Sequence, residues 1–159
     1  MKDNERVELD GIDRYIIYQL QKDARHTSSS DIAEKMDISP STVRNRIKRL
    51  EDEDVINGYQ ADVNYEKIGY QLYTLIVCTA SIPEREELAR KALSVTGVVD
   101  VQEVMTGDGN VIVTAVGDDG DDLARIGRDL SSIGLKVVDE DVIRNHYTHP
   151  YHKFEEENH

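Results

Sequence analysis

The stretch SPSTVRNRIKRL, residues 39–50, contains four basic side chains and no acidic one. Its basic residues are Arg44, Arg46, Lys48 and Arg49, with Asn45 among them. Arginine can donate two hydrogen bonds to a guanine edge, and asparagine can donate one to an adenine edge and accept one from it. Any Arg or Lys can also neutralise a DNA phosphate. The chemistry that these residue types favour is recognition of nucleic acid.

The charge of the whole chain argues against this interpretation until its distribution is considered. The 159 residues contain 32 Asp and Glu against 19 Lys and Arg, for a formal net charge of −13, whereas phosphate binding needs a basic surface. Residues 24–50, however, hold six basic and three acidic residues, a local charge of +3. The excess of acid elsewhere is typical of a surface adapted to high salt; an acidic mesophilic protein is the alternative.

A predicted helix-turn-helix positions the basic side chains. The predicted helices cover residues 9–22, 28–36 and 39–51, with Asp10, Ser28 and Ser39 as their N-caps. Val43, Ile47 and Leu50 recur at helical spacing and form the buried side of the third helix. Asn57-Gly58 is a typical two-residue hairpin turn, which would complete a winged helix-turn-helix.

Nine residues of this first domain are predicted to contact DNA. They are Arg25, His26, Ser41, Thr42, Arg44, Asn45, Arg46, Lys48 and Arg49. Residues on the outward face are placed for base edges, while Arg46 and Arg49 are better candidates for phosphate contacts. The alternative is a solvated basic face on a structural helix bundle.

The second half of the chain has a different pattern. Strands are predicted at 70–80, 98–105, 111–116 and 135–147, and helices at 84–95 and 121–133. The order βαββαβ is ferredoxin-like, so the predicted fold class is α+β. Because the strand at 70–80 is apolar on both faces, we expect a second copy of the sheet to cover its open face in a homodimer.

The predicted domains are a DNA-binding domain at 1–61, a linker at 62–69, a second domain at 70–150 and an acidic tail at 151–159. The N-terminus lacks an apolar segment, and no apolar run reaches the roughly 18 residues of a membrane helix. We therefore expect a soluble, cytoplasmic protein without membrane contact.

Other candidate sites are weaker. In the turn MTGDGNV, residues 105–111, Asp108 and Asn110 could bind an amino or carboxyl group, but these residues alone favour a plain hairpin turn. His146, His149 and His152 could ligate a metal, yet an extended tail does not bring them to one ion, and we predict no metal site. The single cysteine, Cys78, is predicted to be a core residue. No catalytic constellation is present, so neither enzymatic activity nor a cofactor is expected.

The sequence resembles the Lrp/AsnC (feast/famine) family of transcription regulators. The resemblance rests on LDGIDRYIIYQLQKDAR, on SSSDIAEKMDISPSTVRNRIKRLEDEDVINGY and on VVDVQEVMTGDGNVIVTAVGDDGDDLARI, and it covers residues from about Leu9 to about Tyr147. It implies a DNA-binding domain followed by a RAM (ACT-like) domain that dimerises and often assembles into tetramers or octamers. The acidic composition resembles that of haloarchaeal members.

The resemblance also implies an effector site. Family members commonly sense amino acids between paired RAM domains, and the matching turn here consists of Thr106, Gly107, Asp108, Gly109 and Asn110. This chain departs from many members in carrying Asn110 where they carry an acid.

The leading hypothesis is a sequence-specific regulator that binds double-stranded DNA and responds to an amino acid or similar metabolite. A metabolite-binding module of the ACT type that controls a protein partner without DNA is the second hypothesis. A metal-responsive regulator that uses the three histidines is the third.

Overall fold

The computed structural model describes residues 5–156, and the chain forms two compact units. The first unit comprises Met1–Ala61 and Tyr147–His159, and the second comprises Asp62–His146. Each unit has its own hydrophobic core. Within the described residues, none of the helices combines the length and the apolar character needed to cross a membrane.

The first unit contains the three predicted helices, α1 (Gly11–Asp23), α2 (Ser29–Met36) and α3 (Pro40–Asp52). Capping boxes start α1 and α2, because Asp10 pairs with Asp13 and Ser28 pairs with Asp31 in reciprocal hydrogen bonds. The core lies where the three helices meet and contains Ile16, Ile32, Ala33, Val43 and Leu50. These helix predictions are confirmed to within about two residues at each end, the usual uncertainty of helix boundaries.

The hairpin predicted around Asn57 and Gly58 is wrong. Residues 53–63, all of which the structure describes, contain no strand. A two-residue type I′ turn needs positive φ at both central residues, and neither Asn57 nor Gly58 has it. Instead the amides of Val55 and Ile56 donate to the Leu50 carbonyl at 2.9 and 3.0 Å, and both side chains pack on the helical core.

The second unit is a four-stranded antiparallel sheet with two helices. Its elements are β1 (Leu72–Thr79), α4 (Arg85–Ala92), β2 (Val98–Glu103), β3 (Val111–Gly117), α5 (Gly120–Ser132) and β4 (Lys136–Val142). The strand order β2-β3-β1-β4 is that of a ferredoxin-like fold. The predicted βαββαβ order and the α+β class are confirmed.

One face of the sheet is covered by α4 and α5, and alternation along the strands separates the two faces. Ile76, Cys78, Val111, Val113 and Ala115 lie in the core between the sheet and the helices. The register places Leu75 and Val77 of β1 beside Thr114 and Ile112 of β3 on the opposite face. Asp139 and Asp141 of β4 flank these positions on the same face. The open face therefore has an apolar centre and an acidic edge.

The C-terminal segment packs on the first unit, which the sequence did not predict. A short helix, α6 (Lys153–Glu156), lies against α1. The Tyr18 hydroxyl donates a hydrogen bond to Oε2 of Glu155 at 3.0 Å, and burial together with this carboxylate raises the pKa of Tyr18. The rings of Tyr151 and Phe154 meet edge to face with centroids 5.0 Å apart. The C-terminal segment therefore belongs to the first unit, although it follows the last strand of the second unit in the sequence.

We expect Gly97→Ala to lower the free energy of unfolding by about 2 kcal/mol, because it combines a strained backbone with overpacking. Gly97 has φ +102°, and an added Cβ would lie 2.8 Å from Ile126 Cδ1 and 3.0 Å from the Val116 carbonyl oxygen. Gly58→Ala is the matched control, since a Cβ at Gly58 meets nothing within 4 Å. Chemical denaturation measures both variants, and an equal loss in the two contradicts this account.

We expect Cys78 to be unreactive in the folded protein. Its side chain is fully buried, and burial, aided by the negative charge of Glu140, raises the pKa of the thiol to about 11. At pH 8 about one molecule in a thousand would then carry the reactive thiolate. Labelling with an aromatic disulfide should be more than about a hundredfold slower in native than in denatured protein. Equal rates in the two states would contradict the buried placement.

Candidate nucleic-acid interface

The exposed side of α3 presents four polar side chains, which we call the outer face: Ser41, Arg44, Asn45 and Lys48. Ser39 caps the helix by accepting a hydrogen bond from the Thr42 amide at 3.2 Å, and Pro40 occupies the first turn, where its missing N–H costs nothing. Val43 and Leu50 are fully buried on the opposite side. The core thus fixes which side chains of α3 point outward.

Thr42 is partly withdrawn from this outer face. Its hydroxyl lies 2.8 Å from the Ser39 hydroxyl, within the cap of the helix, and its side chain is half-buried. Ser41 is exposed at the first turn, although its hydroxyl also lies 3.0 Å from the Ser39 hydroxyl.

Arg46 and Arg49, which we call the inner arginines, are engaged within the protein. Arg46 Nη1 lies 2.6 Å from Asp10 Oδ2 and 3.1 Å from Asp13 Oδ1. Arg49 Nη1 lies 3.4 Å from Asp13 Oδ2, its Nε lies 3.4 Å from Glu53 Oε1, and its Nη2 donates to the Glu8 carbonyl at 3.1 Å. Phosphate contacts by both residues stay a prediction, and in the structure Nη1 of each arginine is engaged by these carboxylates.

Asp13 is the centre of this arrangement. Its side chain is only 1% exposed, and a buried carboxylate is tolerated only when paired and hydrogen-bonded. The backbone amide of Asp10 donates to Asp13 Oδ2 at 3.2 Å, so the capping box of α1 and the inner arginines share one carboxylate. Hydrogen bonding to Asp10 raises the pKa of Arg46 despite partial burial, so its positive charge is permanent.

The positive charge that remains available is smaller than the sequence suggested. Lys48 Nζ pairs with Asp52 Oδ2 at 2.7 Å one turn along α3, and this hydrogen bond raises the pKa of Lys48. Of the six basic residues in 24–50, three make no ion pair within the described range 5–156: Arg25, Lys35 and Arg44. Among the described residues, Arg44 is therefore the cation of the outer face without an ion pair.

Arg25 and His26 lie in the exposed turn between α1 and α2. Asp23 accepts hydrogen bonds from the His26 backbone amide and lies beside its ring Nδ1, both at 3.0 Å. These contacts lower the pKa of Asp23. The turn is thereby ordered, with the Arg25 side chain exposed.

The turn before β3 holds the five residues that the family resemblance suggested for an effector. Thr106, Gly107 and Asp108 are exposed, and Gly109 has φ +59°. The Thr79 hydroxyl donates to Asp108 Oδ1 at 2.8 Å and accepts from the Gly109 amide at 2.9 Å. The turn is therefore tied to the end of β1.

The Asn110 side chain binds the backbone of Ala80, a structural role that the sequence did not predict. It is fully buried; its Oδ1 accepts from the Ala80 amide and its Nδ2 donates to the Ala80 carbonyl, both at 2.9 Å. Both polar ends of the side chain are used in these bonds. An aspartate at this position could accept from the amide but could not donate to the carbonyl.

The histidine tail forms a ring pair. The imidazoles of His149 and His152 stack with centroids 4.0 Å apart, and His146 is exposed. Within residues 5–156, no group of three or more His, Cys, Asp or Glu is arranged to hold a metal ion.

Known proteins match the first domain and, in other cases, most of the chain. The family model described as "Winged helix-turn-helix DNA-binding" matches residues 9–57, the segment that carries the outer face. An uncharacterised HTH-type transcriptional regulator of Pyrococcus horikoshii, PH1692, is 39% identical over 130 residues, which cover 80% of this chain and 84% of the relative. The HTH-type transcriptional regulator LrpA of the same organism is 37% identical over 120 residues, covering 74% of this chain and 82% of LrpA.

A solved structure shares the fold over nearly the full length. The feast or famine regulatory protein of M. tuberculosis, complexed with L-methionine, superposes with a TM-score of 0.76 at 23% identity, covering 89% of this chain and 95% of that protein. The two Pyrococcus relatives match across both domains of this chain. The chain is therefore a member of the Lrp/AsnC family of DNA-binding helix-turn-helix transcription regulators.

Proposed function

We propose that the protein reads DNA sequence through the outer face of α3 in the major groove. The observation that carries this proposal is the pair Arg44 and Asn45, exposed side by side on the face opposite the core, with Arg44 free of any ion pair in the described residues. Arginine and asparagine are the side chains best suited to guanine and adenine edges. Ser41 and Lys48, on the same face, supply further polar contacts, and Arg25 is placed for backbone phosphate.

The open face of the sheet supports a homodimer. Leu75, Val77 and Ile112 form an apolar centre that solvent would otherwise meet, and a second copy of the same sheet is a self-complementary cover. A two-fold axis would relate two recognition helices, so the operator would be a two-fold symmetric sequence. Tetramers or octamers would follow from further contacts of the second domain.

An amino acid or similar metabolite is the proposed effector. Support comes from the exposed turn at Thr106, Gly107 and Asp108 and from the related fold of the M. tuberculosis protein, whose structure holds L-methionine. Because both polar groups of the Asn110 side chain bond to Ala80, effector contacts would fall to the exposed residues of the turn and to the backbone at Gly107, where no side chain blocks access. Binding there would favour one assembly over another.

The acidic surface suggests function at high salt. At about 1 M salt the Debye length is roughly 3 Å, so repulsion between the acidic body and DNA is screened, as is the attraction of Arg44 for distant phosphates. Counterion release also loses force as salt rises. Base contacts and DNA shape would then contribute more to binding than bulk charge.

Selection of binding sites from a random DNA pool at molar KCl tests the DNA proposal. We expect enrichment of one two-fold symmetric motif with a fixed half-site spacing. A pool that stays random would contradict sequence reading by α3 and would favour the alternative, a metabolite-binding module that acts on a protein partner.

Sedimentation with a panel of amino acids tests the effector proposal. We expect at least one amino acid to shift the assembly state, and the shift should weaken in Asp108→Ala, which changes an exposed residue of the turn. If no member of the panel changes either sedimentation or DNA binding, the amino-acid proposal fails.

A further inference from the structure

The DNA-binding role does not explain why the two inner arginines of α3 face α1 and not the outer face. α3 carries more positive charge than its outer face presents, and Arg46 and Arg49 are turned toward α1, with side chains 29% and 40% exposed. Two cations on a DNA-binding helix would normally strengthen phosphate contacts of any sequence. Here two aspartates at the start of α1, Asp10 and Asp13, hold them; we call this pair the carboxylate clamp.

The clamp contains more hydrogen bonds and ion pairs than a single pair of opposite charges at the protein surface. Arg46 Nη1 reaches both carboxylates, at 2.6 and 3.1 Å, and Asp13 also accepts from Arg49 and from the Asp10 backbone amide. Asp13 is buried, so its charge requires these donors. The pairs span 33 to 36 residues of sequence, and they join α1 to one flank of α3.

We propose that the carboxylate clamp is a specificity-determining device for DNA binding, with Asp13 as its positioning residue. By keeping the inner arginines away from phosphates, the clamp limits binding to unrelated DNA. By fixing the rotation of α3 about its axis, it holds Arg44 and Asn45 toward the bases. The proposal rests on DNA contact by α3 and adds to it the residues that set the balance between specific and non-specific binding.

The physical basis is that specificity is a ratio of two affinities. Each phosphate that a cation neutralises adds about 0.9 to the magnitude of the slope of log K against log salt concentration, whatever the sequence. Releasing the inner arginines would therefore strengthen binding to any duplex and steepen its salt dependence. The same release would loosen the orientation of α3 and weaken the contacts that depend on sequence.

The test replaces both clamp aspartates with asparagine in the full-length protein. Asn remains a good N-cap, so Asp10→Asn with Asp13→Asn removes the two charges, while each side chain keeps one oxygen that can accept the capping-box hydrogen bond. The matched control is Glu86→Gln with Glu87→Gln, which makes the same change in net charge and frees two surface cations, Arg90 and Lys91, on α4. Affinity is measured across a salt series on a scrambled duplex and on the selected site.

We expect the clamp variant to bind the scrambled duplex with a slope steeper by about one to two, and its ratio of specific to non-specific affinity to fall by about tenfold or more. The control should leave both quantities unchanged. Loss of folded protein alone would lower both affinities equally and leave the slope as it was. An unchanged slope and ratio in a folded clamp variant would overturn the proposal.

Two single variants keep the proposal testable if the clamp variant does not fold. Arg46→Gln should leave the salt slope unchanged, because this arginine reaches no phosphate in the wild type, whereas Arg25→Gln, at the residue proposed for backbone phosphate, should reduce the slope by about one. If Arg46→Gln reduces the slope as much as Arg25→Gln, the clamp does not withhold Arg46 from DNA and the proposal is overturned. The proposed sequence reading fails separately, through a random-pool selection without enrichment.

Discussion

Arg44→Ala is expected to weaken binding to the selected DNA site by about 10- to 100-fold, the loss of roughly 1–3 kcal/mol that accompanies removal of a paired contact to a base. Arg44 is exposed and makes no ion pair within residues 5–156, so its removal costs the fold almost nothing. The loss should fall mainly on one base position in each half-site. Titration of the selected duplex and of duplexes with single base changes measures both effects.

The control for Arg44→Ala is Arg90→Ala, which removes the same charge from an exposed, ion-paired arginine on α4. This control should bind DNA as the wild type does, with a difference below about twofold, because exposed ion pairs contribute little. An equal loss in the two variants would show that net charge, rather than the position of Arg44 on the outer face, governs binding.

Asn110→Ala is expected to lower the free energy of unfolding by about 3 kcal/mol. The substitution leaves the amide and the carbonyl of Ala80 without the partners that the Asn110 side chain supplies, and each buried polar group left unpaired costs about 1–3 kcal/mol. Chemical denaturation measures this loss.

Asp108→Ala separates this structural role from effector binding. Asp108 accepts one hydrogen bond from the Thr79 hydroxyl at an exposed position, so we expect a loss below about 1 kcal/mol. If Asn110→Ala proves as mild as Asp108→Ala, then Asn110 does not hold the turn. Asn110→Asp should recover only part of the loss, since aspartate can accept from the Ala80 amide but brings a buried charge.

Local patterns in the sequence predicted most of the secondary structure. Capping residues such as Asp10 and Ser28 act over three residues, and the apolar spacing of Val43 and Leu50 repeats within one helix. These patterns involve only residues that are close together in the sequence. The positions of the helices and the order of the strands could therefore be predicted from them. The dimer prediction likewise followed from β1, whose segment is apolar on both faces in the sequence.

The features that the sequence did not predict depend on residues far apart in the chain. Asp13 and Arg49 are separated by 36 residues, and Tyr18 and Glu155 by 137, so no local pattern indicates either contact. The Asn57-Gly58 dipeptide did indicate a hairpin, but the amides that follow α3 bond to its last turn instead. In each case tertiary packing, and not the local sequence, determined the contact or the backbone conformation.

In the candidate DNA-binding site, too, local features were predicted and long-range contacts were not. The sequence identified α3 and placed Arg44, Asn45 and Lys48 on its outer side, as the structure does. It assigned phosphate contacts to Arg46 and Arg49 and did not predict their ion pairs, because these arginines differ from Arg44 in their partners and not in their type. One signal was present: Asp13 follows Leu9 by four residues and precedes Ile16 by three, which places an acid on the apolar side of the predicted helix. A buried acid requires cationic partners.

The most direct test of the account is the affinity of the wild-type protein for its selected duplex and for a scrambled duplex of the same length, both at molar KCl. We expect the selected duplex to bind about a thousandfold tighter or more, in the range of sequence-specific regulators, because base contacts by the outer face persist at the salt concentration that suppresses phosphate contacts. Equal affinity for the two duplexes would contradict sequence reading by α3. It would favour the alternative, in which the second domain binds a metabolite and acts on a protein partner.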